Sequence, residues 1–176
     1  EYESRMPFVV PFIGLNFKDP KSYDLESALR RFLKGPPKRL MLLLGNTGSG
    51  KSEYLRRLYF ALWRSWDRHK PVPILTSVVS NADPIQSLME EALMGVLGFS
   101  HHQARTLQSS HRVVLLIDGY DDLGSAHNLY FHNFLLEWDC HVIMTCRTQN
   151  ALPLNRGNYV PHFCPIMSDR QDFTMP

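Results

Sequence analysis

The sequence predicts an α/β fold, a three-layer sandwich in which a central parallel sheet carries helices on both faces. Three observations predict it. Apolar runs of strand length alternate with segments of helical periodicity, a pattern that implies right-handed crossovers and parallel strands. The run Arg39 to Leu44 is apolar at every position after its first residue, as a strand buried on both faces is. The loop after that run is glycine-rich and leads directly into a helical pattern.

The elements follow in chain order. Met6 to Phe17 is apolar but broken by Pro7, Pro11 and Gly14. It has no basic stretch or small-residue cleavage site beside it, so it reads as extended chain rather than a signal peptide. Tyr23 to Leu33 is a helix with Leu25, Leu29 and Phe32 on one face, ended by Gly35-Pro36-Pro37. Arg39 to Leu44 is the first buried strand. Lys51 to Trp66 is a helix: Leu55, Leu58, Leu62 and Trp66 recur at helical spacing, while Arg56, Arg57 and Arg64 form a basic stripe that reads as a solvated face. Val72 to Val79, rich in β-branched residues, is the second strand. Asp83 as N-cap and Pro84 at the first helical position open a helix to about Leu97, before Gly98. Val113 to Ile117 is the third strand, Asn128 to Trp138 a helix, and His141 to Thr145 the fourth strand. Trp63, Trp66 and Trp138 fall on helices, as core or interface residues.

Composition limits the function. The chain has 176 residues, 44% hydrophobic and 20% charged, enough for one folded domain with a sizeable core and too apolar for a disordered chain. A formal net charge of +2 gives no electrostatic case for nucleic acid or an anionic membrane. No apolar run approaches the roughly 20 residues that span a bilayer. Cys140, Cys146 and Cys164 include no C-x-x-C pair, so neither a disulfide framework nor a zinc site is expected, and a reducing, cytoplasmic compartment is. His101-His102 and His127 with His132 lack metal-ligand spacing with an acid.

The chemistry lies in three strings. Gly45-Asn46-Thr47-Gly48-Ser49-Gly50-Lys51-Ser52 fits G-x-x-x-x-G-K-[ST] with no mismatch and stands between a buried strand and an amphipathic helix. Glycines let successive backbone N–H groups turn toward a phosphate, and the helix start at Lys51 adds its dipole. Lys51 supplies a cation for the β- and γ-phosphates, Ser52 a hydroxyl for Mg²⁺, and Glu53 is the last of the residues expected to bind the nucleotide. The expected ligand is ATP or ADP with Mg²⁺. The third strand ends in Asp118-Gly119-Tyr120-Asp121-Asp122. Asp118, at the carboxyl end of a buried strand, is the candidate for the second Mg²⁺ contact, and Asp121 or Asp122 is a candidate to orient an attacking water. The fourth strand ends in Thr145-Cys146-Arg147. One strand, Val72 to Val79, intervenes between the phosphate-loop strand and the acidic strand. That count favours a P-loop NTPase fold with an extra strand between its Walker A and Walker B strands. The fourth strand would then lie between those two, with Thr145 and Arg147 facing the γ-phosphate. Phe8, Pro11, Phe12 and Ile13 precede the loop at a distance suited to packing on the core or on an adenine ring.

These strings, with Leu42-Leu43-Leu44 before the loop and Thr148 after Arg147, resemble the NACHT branch of the STAND signalling NTPases over roughly Pro7 to Pro165. The resemblance implies a nucleotide-controlled switch in signal transduction, of an innate-immunity-like kind. Such a switch rests with ADP and self-associates with ATP, under sensor and effector domains outside this chain. It implies roles for Lys51 and Ser52 at phosphate and metal, for Asp118 at the metal, and for Arg147 as γ-phosphate sensor. The family usually has Glu where this chain has Asp122, which implies slow or absent hydrolysis. Residues 1–37 are then an N-terminal segment and opening helix, 38–165 the nucleotide-binding domain, and 166–176 the start of a linker to a further C-terminal region. The alternatives left open are a small-molecule or nucleotide kinase, an AAA+ motor, and a scaffold that binds nucleotide without turnover.

Overall fold

The computed structural model describes residues 9–13, 25–35, 39–80, 83–123 and 129–147. Five parallel strands form one sheet: β1 (Val9–Ile13), β2 (Arg39–Gly45), β3 (Val72–Ser77), β4 (Val113–Asp118) and β5 (Cys140–Arg147), in the order β1-β2-β5-β4-β3. The helices are α1 (Leu25–Lys34), α2 (Lys51–Arg64), α3 (Leu88–Glu90, continuing as a π-helical stretch Glu91–Val96), α4 (His101–Ser110) and the short α5 (Leu129–His132). The α/β fold with a parallel sheet and flanking helices is the fold observed.

Side-chain alternation along the strands builds two cores. On one face Leu40, Leu42, Val113, Leu115, Ile117, Val142 and Met144 pack with Leu88, Leu93 and Leu107 from α3 and α4. On the other, Met41, Val114, Leu116 and Ile143 pack with Leu29 and Phe32 of α1 and Leu55 of α2. Leu55, Leu115 and Leu116 are fully buried, each contributing about 1.5–3 kcal/mol by leaving water. His141 lies on the α1 face, with its ring edge-on to Phe32 at 5.2 Å and its Nε2 3.2 Å from the Gly35 carbonyl oxygen.

Several elements differ from the sequence reading. Val9–Ile13, read only as extended chain, is an edge strand in register with Leu40–Leu44. Its Pro11 suits an edge, where a missing N–H costs no ladder bond. Asp83 Oδ1 accepts from the Gln86 N–H at 3.3 Å, as an N-cap would, but the turn it closes stands before α3. The Asp83 carbonyl closes a turn with Ser87 N–H at 2.9 Å, and the helix begins at Leu88. The N–H of Leu88 is instead satisfied by the Asn133 side-chain oxygen at 2.7 Å, from across the fold. Asn133 is buried and also donates to the carbonyls of Ile85 and Leu129. The helix expected over 128–138 stops at His132. Phe134 takes φ 52, and a 3₁₀ turn Leu135–Glu137 follows. Helix α4 has no counterpart in the sequence reading, although Ser100 and Gln103 form a complete capping box at its start.

Candidate functional site

All strands run the same way, so their carboxyl ends form one edge, where α/β sheets bind ligands. Register sets which residues meet there. Gly45 pairs with Arg147 at the last rung between β2 and β5, and Ser77 pairs with Asp118 between β3 and β4. Alternation sets the face. Val114, Leu116 and Asp118 point to the side of the sheet that carries α2, as do Ile143, Thr145 and Arg147 of β5. The acidic strand and the Thr-Cys-Arg strand thus present their polar ends to the start of α2.

The loop 46–50 between β2 and α2 is exposed. A backbone bond from Ser49 N–H to the Asn46 carbonyl at 3.1 Å closes its turn. Gly48 and Gly50 have φ of +76 and +85, conformations in which a side chain is strained, and no atom lies within 4 Å of where a Cβ would be on either. At Gly45 a Cβ would come within 2.6 Å of Ser49 Oγ, so a side chain there would require the Ser49 hydroxyl to turn away. No side chain among the described residues caps the first turn of the 14-residue α2. The N–H groups that every helix leaves unpaired at its start therefore face the loop, together with the positive end of the dipole. Lys51 Nζ arches over the loop and donates to the carbonyls of Gly45 at 2.8 Å and Asn46 at 3.0 Å.

Ser52, one residue into α2, donates from Oγ to Asp118 Oδ1 at 3.0 Å. The same carboxylate oxygen accepts from Thr145 Oγ1, and Thr145 Oγ1 accepts from Gly119 N–H at 2.9 Å. Thr145 is buried, so its hydroxyl links β5 to the end of β4 and orients Asp118 toward Ser52. The sequence reading aimed Thr145 at a phosphate, whereas the structure aims it at Asp118.

Asp121 and Asp122 sit on a 3₁₀ turn, Tyr120–Leu123, that follows Gly119. Neither is free. Asp121 Oδ1 accepts from the backbone N–H of Arg147 at 3.0 Å, and its Oδ2 lies 2.8 Å from Arg147 Nε. Asp122 Oδ1 lies 3.4 Å from Arg147 Nη2. Glu53 turns away from the loop, its carboxylate joining Arg57 at 2.8 Å and Arg56 at 3.3 Å along α2. The bond to Arg57 holds its carboxyl below the usual range. The backbone of Glu53 lies in the first turn of α2, beside the loop. Cys146, beneath this edge, is buried, and burial pushes its thiol up to about 12, with the nearby Asp121 carboxylate adding to the rise.

Phe8 lies outside the described residues, as do the side chains of Pro11, Phe12 and Ile13, the expected adenine neighbours. Cys164, His127 and residues 148–176 also lie outside them. No helix among the described residues is long and apolar enough to cross a membrane.

The residues at this edge fit a magnesium–nucleotide. The open glycine cradle and uncapped helix start suit phosphate oxygens. The hydroxyl of Ser52 and carboxylate of Asp118 are hard oxygen donors of the kind Mg²⁺ takes. Comparison with known proteins agrees: the family model of the NACHT domain matches residues 39–169. No curated protein and no solved structure gives a significant match.

Proposed function

The chain belongs to the NACHT domain family and is thus a nucleotide-binding domain of the P-loop NTPase type, and on that premise we propose that it is the ATP/ADP switch of a cytoplasmic signalling protein of the STAND class. In this reading nucleotide state controls self-association, and sensor and effector domains outside the chain supply input and output. Lys51 and the N–H groups of residues 46–53 hold the phosphates. Ser52 and Asp118 hold Mg²⁺, which when bound neutralises phosphate charge and draws the terminal phosphoryl group toward transfer. The observation that carries the reading is the 3.0 Å contact between Ser52 and Asp118, residues 66 apart in sequence that meet beside an uncapped helix start.

Turnover is slow in this proposal. A carboxylate that activates water needs a free oxygen within reach of it. Asp121 has both oxygens engaged by Arg147 and a side chain only 5% exposed. Asp122 is more open, at 38%, but is one methylene shorter than the Glu usual there in the family and faces the guanidinium. The same observation favours a second reading, a scaffold that binds nucleotide without hydrolysing it. The experiment is to release and identify the nucleotide carried by the purified protein, then measure phosphate formation with and without candidate acceptors. Retained ADP with slow phosphate formation supports the switch, and retained nucleotide with none supports the scaffold. Rapid transfer to an added acceptor overturns both in favour of a kinase.

A further inference from the structure

The three contacts around Arg147 are unequal. Asp121 grips both the main chain and the inner nitrogen of the arginine, at 3.0 and 2.8 Å, from a position where its own side chain is 5% exposed. Asp122 reaches an outer nitrogen at 3.4 Å, and both partners are about two-fifths exposed. Ion pairs of the second kind are screened and weak, whereas a nearly buried, doubly bonded carboxylate is not easily displaced. Taking Nε anchors the inner edge of the guanidinium and leaves the outer nitrogens, Nη1 and Nη2, unengaged by Asp121. The last rung of the sheet sets Arg147 opposite Gly45, the first residue of the phosphate loop.

We propose that Asp121 is a positioning residue that fixes Arg147 beside the phosphate loop, and that Asp122 is the partner the guanidinium exchanges for the terminal phosphate of ATP. Asp121 is thereby removed from water activation. The inference rests on the nucleotide-binding reading above, and it adds a division of labour between two adjacent acids that the sequence gives no means of separating. Without Asp121 the guanidinium has no fixed inner edge, so its discrimination between ATP and ADP is lost. Without Asp122 it has one competitor fewer, so ATP gains on ADP.

The test is calorimetric titration of Mg-ATP and Mg-ADP into the wild type, Asp121→Asn, Asp122→Asn, Arg147→Ala and the Asp121→Asn/Arg147→Ala double variant. Asparagine at 121 can still accept from the backbone N–H but turns an amide toward Nε. Asp121→Asn is expected to lower ATP affinity about tenfold and ADP affinity less than about twofold, the size of one charge-assisted bond. Asp122→Asn is expected to raise the ATP preference about two- to threefold, the strength of an exposed ion pair. Adding Asp121→Asn to Arg147→Ala should change neither affinity further, a result that a merely structural role would not give. The inference is overturned if Asp121→Asn weakens both nucleotides equally or neither, or if Asp122→Asn selectively weakens ATP. Should Asp121→Asn fail to fold, the Asp122→Asn arm decides alone. A wild type that binds neither nucleotide overturns the underlying reading, whereas retained ADP binding with an unchanged ATP preference overturns only the clamp.

Discussion

Thr145→Val removes one oxygen from a strand while keeping the branched shape that fits it. Thr145 is 1% exposed, so water cannot replace what is lost. The hydroxyl accepts from Gly119 N–H and donates to Asp118. The neutral bond contributes about 1 kcal/mol and the bond to a carboxylate about 1.5–3 kcal/mol. The extra buried methyl of valine returns up to about 1 kcal/mol, leaving a net loss of about 2 kcal/mol. In a chain of this size each kcal/mol moves the melting temperature by about 2–4 °C, so thermal unfolding should fall by about 4–8 °C. Asp118 loses a donor that orients it toward Ser52, and Mg-nucleotide affinity by calorimetry should drop about tenfold or more, as when other outer-shell partners of metal ligands are removed. Thr145→Ser keeps the hydroxyl and should retain that affinity. A valine variant that melts within about 1 °C of the wild type and binds Mg-ATP equally well would refute the link between β5 and Asp118.

Two further outcomes follow from the same edge of the sheet. Cys146 has its thiol raised from an ordinary 9.0 to about 12, so the folded state holds that proton more tightly than the unfolded chain. The associated stability is fully present below pH 9 and is lost as pH rises from about 9 toward about 12. Cys146→Ala should therefore flatten the alkaline limb of a denaturant-stability profile, and parallel profiles for variant and wild type would contradict the assignment. Gly119 has φ +79, and a Cβ on it would lie 2.7 Å from Asp122 Oδ2. Gly119→Ala should cost about 1–3 kcal/mol from the left-handed backbone alone, read as a lower urea midpoint with unchanged slope. An unchanged midpoint would show that the turn relaxes freely.

Much of this architecture was legible because it rests on local patterns. The strands β2, β4 and β5 are apolar on both faces, and that alone identifies them as interior to a covered sheet. The phosphate loop was legible because its glycines, lysine and serine are contiguous, so spacing stands in for geometry. What the sequence could not show depends on distant partners. The N–H of Leu88 finds its acceptor on Asn133, and no pattern near Asp83 reports that. Asp121 and Asp122 are chemically alike and adjacent, and only the fold reveals that one is buried under Arg147 and the other is not. The end of a strand beside the phosphate-loop strand points Thr145 at phosphate, but the identity of its neighbour depends on the register between β4 and β5. Helix α4 was missed although Ser100 and Gln103 spell its start; its weakly apolar face, with Leu107 its one buried residue, hid it.

The proposed switch stands on Lys51 holding a magnesium–nucleotide in the cradle over residues 45–52. The most direct measurement is calorimetric titration of Mg-ADP and Mg-ATP into the wild type and Lys51→Ala side by side. Lys51 contacts only the loop carbonyls of Gly45 and Asn46 in the bonds described, so the alanine variant should keep its fold, checked by an unchanged thermal transition without nucleotide. Saturable binding of both nucleotides to the wild type is expected, with a loss of at least about 100-fold in the variant, the scale of two charge-assisted bonds. Equal affinities in the two proteins would contradict this role of Lys51.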